Sequence, residues 1–300
     1  MASNRTLQGG YLVLEEALHA GYARVRQLVE MNRYKEALAE AEKLLQMDPE
    51  DPDAHSTIGW IYLLSEKYDK ALHWSGEALK RDPDNVLAWY VRVCTYHETN
   101  REDKFEESLA EALRVDPYED HYYFLKAARL THKGKLREAK ESILSSLEFA
   151  PEKPLHLALL SYIEALSGNK EESRRADREA LRHDAEDPVV LMHLSWAASE
   201  RGEYDLAEQY MASAVRLNPE NKQIRDEYLE ALQRNNKFYR AFLRPVKILG
   251  KLKRWQLFLF FMTLWIIFKP LVLWFIILYF LVHWITKGIV HVRVFGWRRR

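Results

Sequence analysis

Few residues of this chain are spaced for chemistry. Cys94 is the only cysteine, and His97 follows it by three residues, a separation that would suit a thiolate–histidine pair on one helix face. A single cysteine in a helix is also a common core residue, and this is the simpler interpretation. The cysteine count excludes an intrachain disulfide and fits a reducing compartment.

The histidines and glycines add no second candidate. His121 and His132 are eleven residues apart, His183 is far downstream, and no His-Glu-x-x-His sequence occurs. Lys133-Gly134-Lys135 lacks the other glycines of a nucleotide-binding loop, and no Ser, His and Asp residues are placed as a triad. We therefore predict no catalytic residue, no metal site, no cofactor and no small-molecule substrate, and so no enzyme.

The charges divide the chain into two parts. All 44 acidic residues lie at or before Glu230, whereas residues 236–300 contain 13 Lys and Arg and no acid. A basic segment without acids is suited to an anionic lipid surface. The sequence from Met1 to Gly10 has no apolar core of a signal peptide, so we expect the acidic part not to be exported.

The acidic part contains an internal repeat of 34 residues. Five prolines share this register, and Ala185 takes the one remaining place: Pro49, Pro83, Pro117, Pro151 and Pro219. Proline lacks a backbone N–H and clashes with the preceding turn, so each one is expected to end a helix.

Small residues recur within the same frame. Ala71 and Ala78 lie seven apart on one helix face, where they allow a second helix to approach closely. Gly134, Gly168 and Gly202 fall where a turn between two helices favours a positive φ. The acidic runs between repeats are interpreted as loops and solvated faces.

These features resemble the tetratricopeptide-repeat (TPR) family over six units, residues 18–221. The first unit departs from the pattern at Val25 and the third at Phe105, where small residues are expected. The resemblance implies an all-α fold, a right-handed superhelical solenoid of about six helix-turn-helix repeats. Residues 1–17 would then be a lead-in, and residues 222–235 a polar capping helix.

The resemblance also implies that partners bind a concave groove lined by the first helix of each repeat. Six aromatic residues occupy inward positions there: Tyr22, Trp60, Tyr90, Phe124, Tyr162 and Trp196. Such a stripe could hold an apolar peptide, or the rings could pack between neighbouring repeats and stabilise the stack. The Lys and Asn residues with which some family members clamp a peptide carboxylate are absent.

The basic part is predicted to contact a membrane. Residues 236–254 alternate basic and apolar side chains, as in an amphipathic juxtamembrane helix, and residues 255–286 are almost wholly apolar. We expect this apolar segment to form a hairpin with Lys269-Pro270 at its tip, which keeps both basic flanks on one side. A single proline-kinked span is the alternative.

Basic residues on both flanks are predicted to lie at the anionic lipid surface, including those of the tail at 287–300. Adjacency to the apolar segment argues against nucleic acid as their partner. The predicted membrane-surface residues are Lys237, Arg240, Arg244, Lys247, Lys251, Lys253, Arg254, Arg298, Arg299 and Arg300.

Together these patterns predict a membrane-anchored scaffold or adaptor. It would bind a partner protein or peptide in its groove and hold it at the cytoplasmic face of the cell membrane. The order of repeats, basic segment and apolar segment resembles bacterial membrane-bound TPR proteins of undefined function. The alternative is an obligate subunit of a membrane enzyme or envelope-assembly complex, with the hydrophobic hairpin as an interface.

Overall fold

The computed structural model describes residues 18–236 and 254–295, with side chains in the second range at 255–263 and 273–293, and every regular element there is an α-helix. Helices α1 to α12 form six successive helix-turn-helix pairs, which α13 follows. The predicted all-α fold is confirmed. The helices are α1 (18–30), α2 (Tyr34–Met47), α3 (Pro52–Leu64), α4 (Tyr68–Arg81), α5 (Val86–Glu98), α6 (Glu102–Val115), α7 (Asp120–His132), α8 (Leu136–Phe149), α9 (Pro154–Leu166), α10 (Lys170–His183), α11 (Pro188–Arg201), α12 (Tyr204–Leu217) and α13 (Lys222–Asn235).

The helices belong to two compact units, one ending at Lys126 and the other beginning at Ala127. In the first unit α3 packs against both its own partner α4 and the next first helix, α5. In the second unit α9 contacts α10 and α11 in the same way, and α13 packs against α12. First helices therefore pack against one another across neighbouring repeats, and in the first unit the second helix α4 also packs against α5.

Side-chain caps start several of the first helices, whereas Lys153 before α9 makes no side-chain cap hydrogen bond. Asp51 accepts the backbone N–H of Asp53 with Pro52 in the first turn, and Asn85 accepts the N–H of Ala88 at 2.9 Å. Short polar side chains at this position satisfy N–H groups that the helix leaves unpaired. The 34-residue repeat thus recurs as a capping pattern, which continues at Asp187 and Asn221.

An aspartate shapes the loop after most second helices. Its Oδ1 accepts the backbone N–H two residues later at 2.8–3.1 Å, in the pairs Asp48–Glu50, Asp82–Asp84, Asp116–Tyr118 and Asp184–Glu186. Such a side-chain turn holds the chain out of the helix. Asp184 therefore ends α10 at the usual place although alanine replaces the following proline.

Gly59 marks a close approach of a first and a second helix in the first unit. A Cβ atom at this position would lie 3.2 Å from the backbone nitrogen of Ser75 and 3.4 Å from the carbonyl oxygen of Ala71. Both facing residues, like Ala78 in the same helix, are fully buried. The small residues seen in the sequence are thus needed for backbone-to-backbone packing.

One residue in each turn between paired helices has a left-handed backbone. The predicted glycines Gly134, Gly168 and Gly202 have φ of 71°, 85° and 85°. The first three turns use the same register position without glycine: Asn32, Glu66 and Asn100, with φ of 56°, 59° and 53°. Of these, Glu66 is the least suited to a left-handed backbone, because its longer side chain lacks the local hydrogen bonding by which asparagine tolerates this conformation.

Replacing Glu66 by glycine is therefore expected to stabilise the first unit by about 1 kcal/mol, because glycine lacks the Cβ that strains a positive φ. Thermal unfolding of the detergent-solubilised chain, followed by circular dichroism, measures this as a higher midpoint. Glu66→Ala is the matched control, since it removes the charge and keeps the Cβ. An equal gain in both variants would assign the effect to charge and contradict the backbone explanation.

The apolar C-terminal segment forms one continuous helix, α14 (Arg254–Phe295), of 42 residues. The predicted hairpin with its tip at Lys269-Pro270 is therefore wrong. A proline inside a helix removes one backbone hydrogen bond, whereas a reversal would leave about four N–H and four C=O groups to be satisfied among apolar residues. Continuing the helix is the smaller loss.

One stretch of α14, Leu273–Arg293, is long and apolar enough to cross a membrane. At 1.5 Å per residue its 21 residues extend about 32 Å, close to the thickness of a hydrocarbon core. Its large side chains are mostly exposed, including Trp274, Leu281 and Trp284. The core helix of a globular domain would be covered instead.

Candidate functional site

The predicted aromatic stripe divides between the two units. In the first, the Tyr22 hydroxyl donates to Asp51 Oδ2 at 2.5 Å, which links the first repeat to the cap of the second. Burial, followed by this hydrogen bond, raises the pKa of Tyr22. Trp60 is half-buried against the core of the first two repeats. Tyr22 is thus a bridge between repeats, and Trp60 keeps an open face.

Tyr90 and Phe124 differ in exposure. The Tyr90 ring lies 5.6 Å from the His121 ring and 6.2 Å from the Tyr122 ring, and it remains half-buried. Phe124 is stacked on His121 at 5.5 Å and is only 7% exposed. Phe124 therefore serves packing, whereas Tyr90 is positioned to contact a ligand.

Trp60 and Tyr90 line a common pocket of about 660 Å³ in the first unit. Carboxylates from the first turn of α3 and from the loops before α5 and α7, together with the Asn85 amide, line the pocket with these rings. The other lining residues are Asp53, Asp82, Asp84, Asn85, Val86, Leu87, Glu119 and Tyr122. The sequence interpretation assigned the inter-repeat acids to solvated loops, and it missed this arrangement. The recurrence of capping positions every 34 residues was the signal that could have found it.

Hydrogen bonds from uncharged amide N–H groups hold two carboxylates of the pocket in place. Asn85 Nδ2 donates to Asp53 Oδ1 at 2.7 Å, so the caps of successive first helices are joined. Glu119 Oε1 accepts the backbone N–H of His121 at 3.2 Å. Burial raises the pKa of Tyr90 and of Tyr122, which keeps both phenols neutral. The pocket thus offers acceptors and aromatic faces and has no nucleophile.

Cys94 lies in the core of the first unit and is 8% exposed. Burial raises the pKa of its thiol to about 12. The thiolate needed for nucleophilic chemistry is therefore not formed near neutral pH. Across residues 18–236 and 254–295, no three His, Cys, Asp or Glu side chains are grouped to hold a metal ion.

In the second unit the aromatic residues are joined to each other. The rings of Tyr162 and Trp196 are 5.8 Å apart, and the His193 ring lies 4.8 Å from Trp196. The Trp196 indole donates to Glu227 Oε2 at 2.8 Å, which connects α11 to α13. These contacts stabilise neighbouring repeats, in line with the packing interpretation of the stripe.

A buried ionic cluster in the second unit was not predicted. The Arg201 side chain is fully buried and lies 2.6 Å from Asp177 Oδ2 and 2.8 Å from Glu203 Oε2. It also donates to Ser173 Oγ, and Ser161 donates to Asp177. The cluster joins α9, α10 and α11 at a point where the repeat pattern has no counterpart.

Most predicted membrane-surface residues fall outside the described part of the chain. These are Lys237, Arg240, Arg244, Lys247, Lys251, Lys253, Arg298, Arg299 and Arg300. Arg254 begins α14. The role of these ten basic residues at a lipid surface stays a prediction. The predicted lead-in at 1–17 also lies outside the described residues.

Two family models match the sequence. A model described as tetratricopeptide repeat matches residues 167–222, and one described as anaphase-promoting complex, cyclosome, subunit 3 matches residues 30–112. Both matches lie on the helix pairs described above. The chain is a tetratricopeptide-repeat protein. Repeat stacks of this family serve protein–protein interaction and are typically non-catalytic.

Solved structures share the fold of this TPR protein at low sequence identity. The structure titled as the functional characterisation of Pseudomonas aeruginosa PilF aligns with a TM-score of 0.58 and 19% identity, over 72% of this chain and 97% of that one. The APC/C hetero-tetramer Cut9-Hcn1 aligns with a TM-score of 0.55 and 14% identity, over 74% of this chain and 54% of that chain. A search of curated protein sequences finds no significant match.

Proposed function

We propose that this TPR protein is a membrane-anchored adaptor without chemistry of its own. It binds a segment of a partner protein through the first helices of its repeats and holds that partner at the cytoplasmic face of the cell membrane. The observation that carries the proposal is the open pocket of the first unit, where Trp60 and Tyr90 present aromatic surface beside acidic acceptors. Anchoring raises the local concentration of the partner near its membrane substrates.

The anchoring half rests on the exposed apolar side chains of α14. An apolar stretch of this length costs free energy in water, and a hydrocarbon environment removes that cost. For the span Leu273–Arg293, eight basic residues at 237–269 lie on the side of the repeats, against three beyond its end at 298–300. The larger basic flank favours the cytoplasmic side, which would place the repeats there.

The binding half is tested by affinity capture from gently solubilised membranes. Trp60→Ala/Tyr90→Ala is expected to reduce recovery of a partner by about 30-fold or more, because buried aromatic contacts dominate interface energies. Trp89→Ala is the matched control: this ring is also in α5, but its indole donates to the Pro83 carbonyl and it does not line the pocket. Circular dichroism verifies that each variant is folded.

Unchanged recovery with the folded double variant would contradict binding at this pocket. A partner retained at fixed stoichiometry by that variant would favour the alternative, an obligate subunit of a membrane complex that docks through α14. A partner lost by both the double variant and Trp89→Ala would point to a general effect on α5.

A further inference from the structure

The pocket of the first unit has an uncompensated negative charge. Four of its lining residues are carboxylates and none is basic. Asp84 is paired with Arg114 at 2.7 Å. Within the described residues the other three, Asp53, Asp82 and Glu119, form no ion pair, and their hydrogen bonds come from neutral amide groups. Carboxylates grouped without a cation favour a positively charged ligand.

The Tyr122 hydroxyl is a second, independent indication of a ligand. Tyr122 belongs to the pocket wall, yet it is 1% exposed, and its hydroxyl has no hydrogen-bond partner in the described part of the chain. Buried polar groups are nearly always hydrogen-bonded, so an unsatisfied hydroxyl on a residue of the pocket wall indicates a missing partner. A donor that reaches the pocket floor would supply it.

The aromatic walls define what kind of cation fits. Trp60 and Tyr90 are half-buried and line the pocket together with the carboxylates. A planar guanidinium can stack on such rings and still direct several N–H groups at oxygen acceptors around its edge. An ammonium group has a spherical, strongly hydrated charge and uses a flat wall less well. Within the described residues the carboxylates are not grouped closely enough for a metal ion.

We infer that the pocket receives an arginine side chain from an extended segment of the partner protein. The guanidinium stacks on the aromatic wall formed by Trp60 and Tyr90 and donates to the unpaired carboxylates of the pocket, and the Tyr122 hydroxyl is a further acceptor once its ring turns toward the ligand. This inference rests on the proposed function and names the chemistry of the partner. The basic segment of this chain at 237–254 is the competing occupant, and the experiment below separates the two.

The test uses the full chain in zwitterionic detergent, labelled with 5-fluorotryptophan. Trp60→Phe assigns the fluorine resonance of Trp60. The probe is the blocked tripeptide acetyl-Ala-Arg-Ala-amide, compared with its citrulline counterpart, which has the same shape and no charge. We expect a saturable shift of the Trp60 resonance with the arginine peptide and binding at least tenfold weaker with citrulline. The lysine peptide is expected to bind severalfold more weakly than the arginine peptide.

Two variants test the assigned residues. Asp53→Asn/Glu119→Gln is expected to weaken the arginine peptide at least tenfold, and Tyr122→Phe severalfold without lowering the melting temperature. Asp103→Asn/Glu172→Gln removes the same charge at exposed positions outside the pocket and is expected to leave binding unchanged. An equal loss of arginine-peptide binding in this control would show that net charge, and not the pocket, causes the effect, and would overturn the inference.

Other outcomes also decide the matter. Equal binding of arginine and citrulline peptides overturns the inference, and so does the absence of any shift, which is the result expected if the chain's own basic segment fills the pocket. If the peptide fails while partner capture still depends on Trp60 and Tyr90, the proposed function stands and the arginine is wrong. If both fail, the pocket is not a binding site.

Discussion

Replacing Asp177 by alanine is expected to lower the free energy of unfolding of the second unit by about 3–5 kcal/mol. Arg201 would then be left fully buried beside an uncharged methyl group, with Glu203 as its remaining carboxylate partner. Removing one member of a buried ion pair costs more than the pair contributes, because the surviving charge stays desolvated. Denaturant unfolding, followed by circular dichroism and by tryptophan fluorescence, measures the loss.

Two comparisons make this prediction specific. Asp177→Leu/Arg201→Met removes both charges and is expected to be much less destabilising than the single replacement, since no charge remains buried. Ser173→Ala removes one hydroxyl contact to Arg201 and should cost about 1 kcal/mol. A double variant as unstable as Asp177→Ala would show that side-chain volume, and not charge, decides the stability of this cluster.

The second large effect concerns α14. Leu281→Arg/Ile285→Arg places two charges one helical turn apart in the middle of the candidate span, at positions that are apolar and exposed. Each arginine costs about 2.5–3.5 kcal/mol at the centre of a membrane helix. We expect the variant to leave the membrane fraction on carbonate extraction, whereas the wild type stays in the pellet.

Leu281→Ala/Ile285→Ala is the matched control for this experiment. It shortens the same two side chains, keeps the helix apolar and is expected to stay in the pellet. Retention of the arginine variant after carbonate treatment would contradict insertion of α14 and leave surface attachment. Release of the alanine variant as well would show that side-chain contacts of these two residues, rather than their polarity, hold the protein on the membrane.

The helix pairs were predictable because their determinants are local and repeat. A proline or aspartate at a fixed register ends each second helix, and a small residue such as Gly59 sits where two backbones approach. The same register also contained the left-handed positions of the first three turns. Glu66 was overlooked because only glycine was taken as a marker, although the spacing to Gly134 is two repeats.

The ionic cluster could not be predicted because it does not repeat. Ser161, Asp177 and Arg201 come from three helices and are separated by 16 and 24 residues, spacings unrelated to the 34-residue period. Only the packed unit brings them together.

The predicted reversal at Lys269-Pro270 was wrong for another reason. A proline is a strong stop signal for a helix in water. Among apolar residues, the backbone hydrogen bonds of a continuing helix outweigh the one that proline removes.

The aromatic stripe was predictable in position and less so in role. Trp60 and Tyr90 line an open pocket, whereas Phe124 is buried. The Trp196 indole N–H donates to Glu227 and so serves packing between helices. Position on the first helix determines which way a ring faces, but exposure depends on the neighbours that the next repeat supplies. The acids of the pocket illustrate the same limit, since Asp53 and Glu119 are distant in sequence and line one pocket only when the first helices pack side by side.

The burial of Cys94 makes the natural chain a ready background for site-specific labelling. Burial raises the pKa of the Cys94 thiol to about 12 and leaves it 8% exposed, so the reactive thiolate is scarce at neutral pH. A maleimide spin label or fluorophore would therefore react with an introduced cysteine and leave Cys94 unmodified. Distances from the pocket rim at Val86, or depths along α14, can be measured without first removing a native residue from the core.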